Sequence, residues 1–203
     1  LQLQKASRID NQRQLLKPLM GLNILLDPGH GSKEDYGSRG PTGYPEKDVT
    51  LTTSKLLRDR LEQMGARVYM TREGDDDLLP EARVAAINKI EPTIALSIHY
   101  NALPDDGDAE NTKGVAAFWY HPQSHGLAQF LHDYLVENLK RDSYGVYWGN
   151  LALVRPTVTP SVLLELGFVI HPEEFEWIIN PQQQKLLSET LADGIAAWFN
   201  QRL

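Results

Sequence analysis

Two histidines and a glutamate stand at positions of this chain that suit metal binding. His30 follows the apolar run of residues 22–27, His99 follows a second such run at residues 93–98, and Glu46 lies between them in the sequence. A catalytic zinc ion commonly takes two imidazoles and one carboxylate as ligands and keeps its fourth position open for water. The three residues therefore predict a His/Glu/His site that holds one zinc ion per chain.

A further carboxylate, Glu165, closes a third apolar run at residues 161–164. If the strands that lead to His30, His99 and Glu165 are parallel, these side chains meet at the edge of the sheet where ligands bind in open α/β folds. A carboxylate at the end of an apolar strand is costly to bury unless it is paired or functional. Glu165 is therefore a candidate catalytic residue, and the alternative is a structural ion pair, for example with Arg155.

Strands and helices that alternate along the chain would position these residues. Helical periodicity predicts a helix over residues 48–64 that ends at Gly65, and Pro80 is placed to open the next helix. Further strands are predicted at residues 66–71, 115–120, 151–155 and 161–166, and further helices at residues 127–139 and from Pro181 onward. This alternation predicts an α/β fold with about six strands in a mostly parallel or mixed sheet and helices on both faces.

Composition narrows the class of protein. The chain has 203 residues, of which 41% are hydrophobic, so we expect one domain, with residues 1–21 as a lead-in segment ahead of a catalytic domain at 22–203. The net charge of −7 argues against a nucleic-acid partner, and the absence of cysteine excludes disulfides and thiolate ligands. The sequence shows neither a membrane span nor a signal peptide, and we expect targeting modules to lie outside this chain.

Four motifs follow one another along the chain: DPGHG at residues 27–31, EKD at 46–48, SIHYN at 97–101 and LELGF at 164–168. Together they resemble the zinc-dependent N-acetylmuramoyl-L-alanine amidases of the amidase 3 family, which are bacterial cell-wall hydrolases. The resemblance extends over residues 22–199. It departs from the family pattern at Ser32, where a second glycine is more usual, and in the somewhat long loop of residues 31–45, both of which concern substrate fit rather than the ligands.

The resemblance implies zinc-dependent hydrolysis of the amide between N-acetylmuramic acid and L-alanine in peptidoglycan. His30, Glu46 and His99 would hold the zinc, and Glu165 would take a proton from water and return it to the leaving amine. It further implies action in the periplasm or cell wall of a bacterium, in wall remodelling and cell division, with activator or targeting modules outside this chain. Two alternatives stay open: a zinc peptidase of the stem peptide, and a noncatalytic peptidoglycan-binding module, which would not need Glu165.

Three more residues are candidates for supporting the site or binding substrate. Asp27 is either an acceptor for the N–H of a ligand imidazole or an ordinary strand-end turn residue. Asn101, which resembles the asparagine of the family motif, either orients a ligand or substrate or is a plain loop residue. Arg155 is the third candidate. The remaining histidines match no motif and are expected on the surface: His121, His125, His132 and His171.

Overall fold

The computed structural model describes residues 17–104 and 106–201, and the strands in these ranges form one sheet. The strands are β1 (Asn23–Pro28), β2 (Arg67–Met70), β3 (Ile94–Asn101), β4 (Val115–Trp119), β5 (Ser143–Trp148) and β6 (Ser161–Phe168). Their order is β2-β1-β3-β6-β4-β5. The first four strands in this order are parallel, whereas β4 runs antiparallel to β6 and parallel to β5. The predicted mixed sheet of six strands is confirmed.

Five α-helices accompany the sheet in the described ranges: α1 (Glu46–Gln63), α2 (Pro80–Ile90), α3 (Pro122–Leu139), α4 (Pro172–Ile179) and α5 (Pro181–Asn200). All but α1 begin at proline, whose fixed φ and missing N–H suit the first helical position. Helix α1 ends ahead of Gly65, which has a φ of +97° and provides the left-handed residue that often follows a helix. The predicted helix at residues 48–64 and the helices opened by Pro80 and Pro181 are confirmed.

The sheet is covered on both faces, as predicted. One face packs against α1, α3 and α5 in the main core, to which Leu96 and Ile98 of β3 contribute. The other face carries a smaller cluster in which Ala95 of β3 packs with Ile87 of α2. Because side chains alternate along a strand, His99 projects from the same face as Ala95. The carboxyl ends of β1, β3 and β6 therefore present their functional side chains together.

Two parts of the predicted element list are wrong. Residues 151–155 do not form a strand, because a short 3₁₀ helix, Ala152–Val154, packs against α2 and β6 and buries Leu153 and Val154. The strand beside β4 is instead β5, which lies at the sheet edge with exposed side chains and so lacks an apolar run. Helix α4, with only eight residues, was not predicted either.

The predicted lead-in segment lies largely outside the described residues, which begin at Lys17. In residues 17–21, Leu19 is fully buried in the main core, and its N–H donates to the carbonyl of Met64 (3.0 Å). Within the described ranges, no helix has both the length and the apolar character needed to cross a bilayer.

Candidate metal centre

The three predicted ligands meet at the carboxyl end of the sheet. Nε2 of His30 lies 3.2 Å from Oε2 of Glu46, and Nδ1 of His99 lies 3.1 Å from Oε1 of the same carboxylate. The two imidazole rings are 5.0 Å apart and nearly perpendicular. One potential ligand atom from each residue lies within 4.8 Å of those of the other two. The structure thus brings together the set that the sequence predicted.

Glu46 is the first residue of α1 and is almost fully buried. Besides the two imidazoles, its carboxylate accepts hydrogen bonds from the backbone N–H groups of Ser38 (2.9 Å) and Tyr100 (3.0 Å). Charge-assisted hydrogen bonds of this kind hold a carboxylate in one orientation. Glu46 is therefore fixed by three separate segments: the loop after β1, the start of α1 and the end of β3.

His30 adopts a backbone conformation that is rare for a residue with a side chain, with a φ of +61°. Its neighbours make room for the ring. A Cβ atom at Gly29 would lie 2.3 Å from Cε1 of His99, and one at Gly37 would lie 2.5 Å from Cδ2 of His30 and 2.7 Å from Oε2 of Glu46. Only glycine at these two positions permits the three ligands to approach one another.

Two buried arginines hold the backbone on which His30 stands. Arg83 of α2 donates to the carbonyls of Pro28 (2.7 Å) and His30 (2.5 Å) and pairs with the carboxylate of Asp27 (2.8 Å). Arg72 donates to the carbonyls of Pro28 (3.0 Å) and Gly29 (2.9 Å). Both arginine side chains are at most 4% exposed. Because an unpaired carbonyl in such a place would be costly, these bonds stabilise the strained turn.

Asp35 contacts the outer nitrogen of His30. Its Oδ1 lies 2.6 Å from Nδ1 of the ring, which fixes the ring orientation and leaves Nε2 facing Glu46. Ser32 in turn orients the segment, because its Oγ accepts hydrogen bonds from the N–H groups of Glu34 (3.0 Å) and Asp35 (3.1 Å). The departure at Ser32 therefore acts on the ligand His30 through Asp35, and does not concern loop shape alone.

Glu165 lies beside His99 in the register of β3 and β6. Its Oε2 is shielded from solvent and has no hydrogen-bond partner among the described residues. Burial, reinforced by the negative charge of Glu46 and only partly offset by the histidines, raises the pKa of Glu165 to about 7. A carboxyl group with such a pKa can both accept and release a proton near neutral pH.

The three predicted ligands shift one another's pKa values in the metal-free protein. Burial disfavours charge on His30, but the hydrogen bonds and the negative charges of Glu46 and Asp35 outweigh it and raise the pKa of His30 to about 9. The pKa of His99 is raised by Glu46 in the same way, and that of Glu46 is lowered because both imidazoles stabilise its ionised form against the effect of burial. The three side chains form one strongly coupled electrostatic unit.

The sequence and structure agree with one family of known proteins. A family model described as N-acetylmuramoyl-L-alanine amidase matches residues 24–197, which is most of the chain. The chain belongs to the N-acetylmuramoyl-L-alanine amidase family. It is 35% identical over 193 residues to the probable cell wall amidase LytH of Staphylococcus aureus, a match that covers 94% of this chain but only 62% of that relative's length.

Solved structures of amidases share the fold. The N-acetylmuramoyl-L-alanine amidase of Clostridium difficile 630 superposes with a TM-score of 0.83 at 27% identity, covering 90% of this chain and 98% of that one. The amidase AmiC2 of Nostoc punctiforme gives a TM-score of 0.82 at 27% identity, covering 88% of this chain and 97% of that one. The architecture described above is therefore that of known amidases.

The donor set of this amidase-family chain fits a zinc ion. Two imidazoles and one carboxylate are a usual three-ligand set for catalytic zinc, whose bonds to such atoms measure roughly 2.0–2.2 Å. The potential ligand atoms lie within 4.8 Å of one another, so such bonds can converge on one point. Because His30, Glu46 and His99 complete this set, Glu165 is not needed as a fourth protein ligand. Its Oε2 has no hydrogen-bond partner among the described residues.

Within the described residues, the three other candidates, Asp27, Asn101 and Arg155, contact neither imidazole ring of the predicted metal site. Asp27 accepts hydrogen bonds from Thr71 (2.5 Å) and Ser97 (2.6 Å) as well as pairing with Arg83, and the outer nitrogen of His30 meets Asp35 instead. Asp27 thus supports the site through the backbone of the turn.

Within the described part of the chain, neither Asn101 nor Arg155 contacts the predicted ligands. The side-chain oxygen of Asn101 accepts from the N–H of Ala102 (2.8 Å), as a plain loop residue does. Arg155 is exposed and lines a groove of about 240 Å³ with Glu81, Val84 and Ala152. The structural ion pair considered for Glu165 and Arg155 is not found among the described residues, where Oε2 of Glu165 has no partner.

Two of the four histidines expected on the surface are buried. His132 is 4% exposed, and its Nε2 lies 2.9 Å from Oγ of Ser143, which joins α3 to the start of β5. His171 is 3% exposed and caps α4, since its Nδ1 accepts a hydrogen bond from the N–H of Glu174. Their roles are structural.

Proposed function

We propose that this chain is a zinc-dependent amidase that cleaves the bond between N-acetylmuramic acid and L-alanine in peptidoglycan. The observation that carries the proposal is the carboxylate of Glu165, which is shielded, has no partner for Oε2 among the described residues and lies beside His99. A structural carboxylate in this position would be paired. A noncatalytic binding module has no use for such a group.

His30, Glu46 and His99 would hold the zinc ion. When bound, zinc supplies polarisation of the scissile carbonyl and a pKa for water lowered toward about 7. Glu165 takes the proton from the attacking water as it adds to the carbonyl carbon. The same carboxyl group then delivers that proton to the nitrogen of the leaving L-alanine, so that the C–N bond breaks and a free amine is released.

Substrate and place of action follow from the family and belong to the same proposal. The substrate is a glycan strand that carries stem peptides, and the products are a stem-free glycan and peptides that begin with L-alanine. Action on this polymer places the enzyme outside the cytoplasm, in the periplasm or the cell wall, with a part in wall remodelling and cell division. The chain spans 62% of the length of its relative LytH, and we propose that activator or targeting modules lie outside it.

Digestion of purified peptidoglycan tests the activity. The zinc-loaded protein should release peptides with a free L-alanine amino terminus, detected by mass spectrometry, and a chelator should stop the release until zinc is restored. Shortened peptides that remain attached to muramic acid would instead identify a zinc peptidase. Binding to peptidoglycan with no soluble product under any metal condition would identify a noncatalytic module.

A further inference from the structure

A row of side chains crosses the sheet at the level of Glu165. His99 of β3 is in register with Glu165 of β6, Glu165 with Ala116 of β4, and Ala116 with Gly145 of β5. Residues in register on neighbouring strands project from the same face. Beyond Glu165 the row therefore continues over two residues with almost no side chain, the fully buried Ala116 and the half-buried Gly145.

Aromatic rings lie beside this row of residues on the same face of the sheet. Phe118 and Tyr147 form the next cross-strand pair of β4 and β5, with ring centroids 5.6 Å apart. The Tyr147 hydroxyl donates to the carbonyl of Tyr144 (2.6 Å), so the ring extends over Gly145, where a Cβ atom would lie 2.7 Å from that hydroxyl. The ring of Tyr144 lies 5.8 Å from that of Tyr147. We call Phe118, Tyr144 and Tyr147 the aromatic strip.

The aromatic strip is not part of the core. Helix α3, which packs on β4, lies on the opposite face, where Leu131 joins Ala117 in the main core. Tyr144 and Tyr147 are 39% and 40% exposed, and Phe118 is half-buried. Exposed clusters of aromatic rings next to a cleft are typical of ligand-binding surfaces.

We infer that the aromatic strip binds the sugar rings of the glycan strand. This inference rests on the proposed function, because the cleaved amide begins at the lactyl group of a muramic acid residue. That sugar must therefore lie within a few bond lengths of the carbon that water attacks beside Glu165. The strip lies on the same face of the sheet as Glu165, beyond Ala116, and it belongs to the two strands that follow β6 in the sheet order.

The chemistry of the strip matches a sugar better than a stem peptide. A pyranose ring has an apolar C–H face, which complements the face of an aromatic ring. The three side chains of the strip carry no charge, and neither does a muramic acid whose carboxyl group is held in the amide. A stem peptide with free carboxylates would lose hydration on this surface without gaining an ionic partner.

Binding of an uncharged oligosaccharide of N-acetylglucosamine, which has the pyranose rings of the glycan strand without free carboxylates, tests the inference without catalysis. Calorimetric titration of the whole chain should give a dissociation constant that rises about tenfold, or ~1.4 kcal/mol, in Tyr147→Leu and in Phe118→Leu. Leucine keeps the apolar bulk and removes the ring. Tyr147→Phe keeps the ring and should bind within about twofold of the parent protein.

Trp148→Leu is the matched control. Trp148 is the next residue on β5, is 59% exposed and projects from the opposite face, so its loss should leave the affinity within about twofold. The inference is overturned if the parent protein does not bind the oligosaccharide, or if Tyr147→Leu binds as tightly as the parent. It is also overturned if a free stem peptide, rather than the glycan, depends on Tyr147 for binding.

This result is distinct from that of the digestion experiment. Glycan binding that depends on Tyr147, together with a failure to release stem peptides, would refute the proposed amidase activity and leave the aromatic strip as a glycan site. If the protein releases stem peptides but its glycan binding does not depend on Tyr147, the amidase proposal is supported and the glycan-binding role of the aromatic strip is refuted.

Discussion

The ligand side of the candidate site and the Glu165 side differ in how their polar atoms are satisfied. On the ligand side, Glu46 contacts two imidazoles and accepts two backbone hydrogen bonds, and Arg83 and Arg72 satisfy the carbonyls of the turn at His30. On the other side, Oε2 of Glu165 has no partner among the residues described. The densely bonded side is suited to hold an ion, whereas the sparsely bonded side keeps a carboxylate available for proton transfer.

The same contrast appears in the surroundings. On the ligand side, the buried Arg72 and Arg83 bond the backbone of the turn at His30, and the loop of residues 31–45 places Asp35 against the ring of His30. On the Glu165 side, the sheet continues past the buried Ala116 to the aromatic strip, whose tyrosines are exposed. Rigidity is thus concentrated where geometry matters for metal binding, and open surface lies where a large substrate must enter.

The largest effect is expected at the buried ion pair. Arg83→Ala leaves Asp27 buried without its cation, so the free energy of unfolding of the metal-free protein should fall by about 3–5 kcal/mol. Arg58→Ala is the control, because Arg58 pairs with Asp59 and Glu73 at the surface and its loss should cost about 0–1 kcal/mol. Urea unfolding measures both, and equal losses would contradict the supporting role given to Arg83.

A smaller effect is expected from Asp35, which acts on one ligand from a half-exposed position. Asp35→Ala removes the partner of the outer nitrogen of His30, so zinc should bind about 10–100-fold more weakly, with little change in stability. Competition with a chelator of known affinity measures the change. Glu34→Ala in the same loop should bind zinc like the parent protein, and a parental affinity in Asp35→Ala would show that His30 does not need this contact.

The smallest effect is expected from a change of one pH unit. In the metal-free protein the pKa of His30 rises from its ordinary value near 6.5 to about 9, so between these values the folded ring keeps a proton that zinc must displace. Zinc affinity should therefore increase with pH, by about tenfold per pH unit for this one proton, and should stop increasing on its account above pH 9.

The stability of the metal-free protein should depend on pH in the opposite direction, decreasing as pH rises. The protonated His30 that pairs with Glu46 stabilises the metal-free fold fully below about pH 6.5, and this contribution is lost as pH rises through 9. Calorimetric titrations in buffers of different ionisation enthalpy count the protons released with zinc. An affinity that does not change between pH 6.5 and 9 would contradict the coupling.

The sequence predicted His30, His99 and Glu165 as site residues because each lies at or near the end of an apolar run in a central strand of the sheet. Such strands are recognisable without structural context, and parallel neighbours necessarily bring their carboxyl ends together. Edge strand β5 escaped prediction for the converse reason, since its exposed side chains give no apolar run. Residues 151–155 do contain such a run, but it is buried in a 3₁₀ turn.

Supporting contacts were harder to predict because they join distant segments. Arg83 and Asp27 are 56 residues apart, and the sequence around either residue does not predict the ion pair. Asp35 lies in a polar loop that contains another acidic residue, Glu34, and the sequence does not distinguish the two. Only the structure shows that Asp35 contacts His30 and Ser32. The aromatic strip likewise forms only when β4 and β5 pair in their observed register.

The most direct experiment uses one variant to test whether Glu165 is required for amide hydrolysis but not for zinc binding. Glu165→Gln keeps the shape of the side chain but removes its basicity, so the rate of stem-peptide release from peptidoglycan should fall by about 10²–10⁴-fold. Zinc affinity, measured on the same preparation, should stay within about threefold of the parent because Glu165 is not needed as a ligand. Activity near that of the parent, or loss of zinc together with activity, would contradict the division between holding and reacting groups.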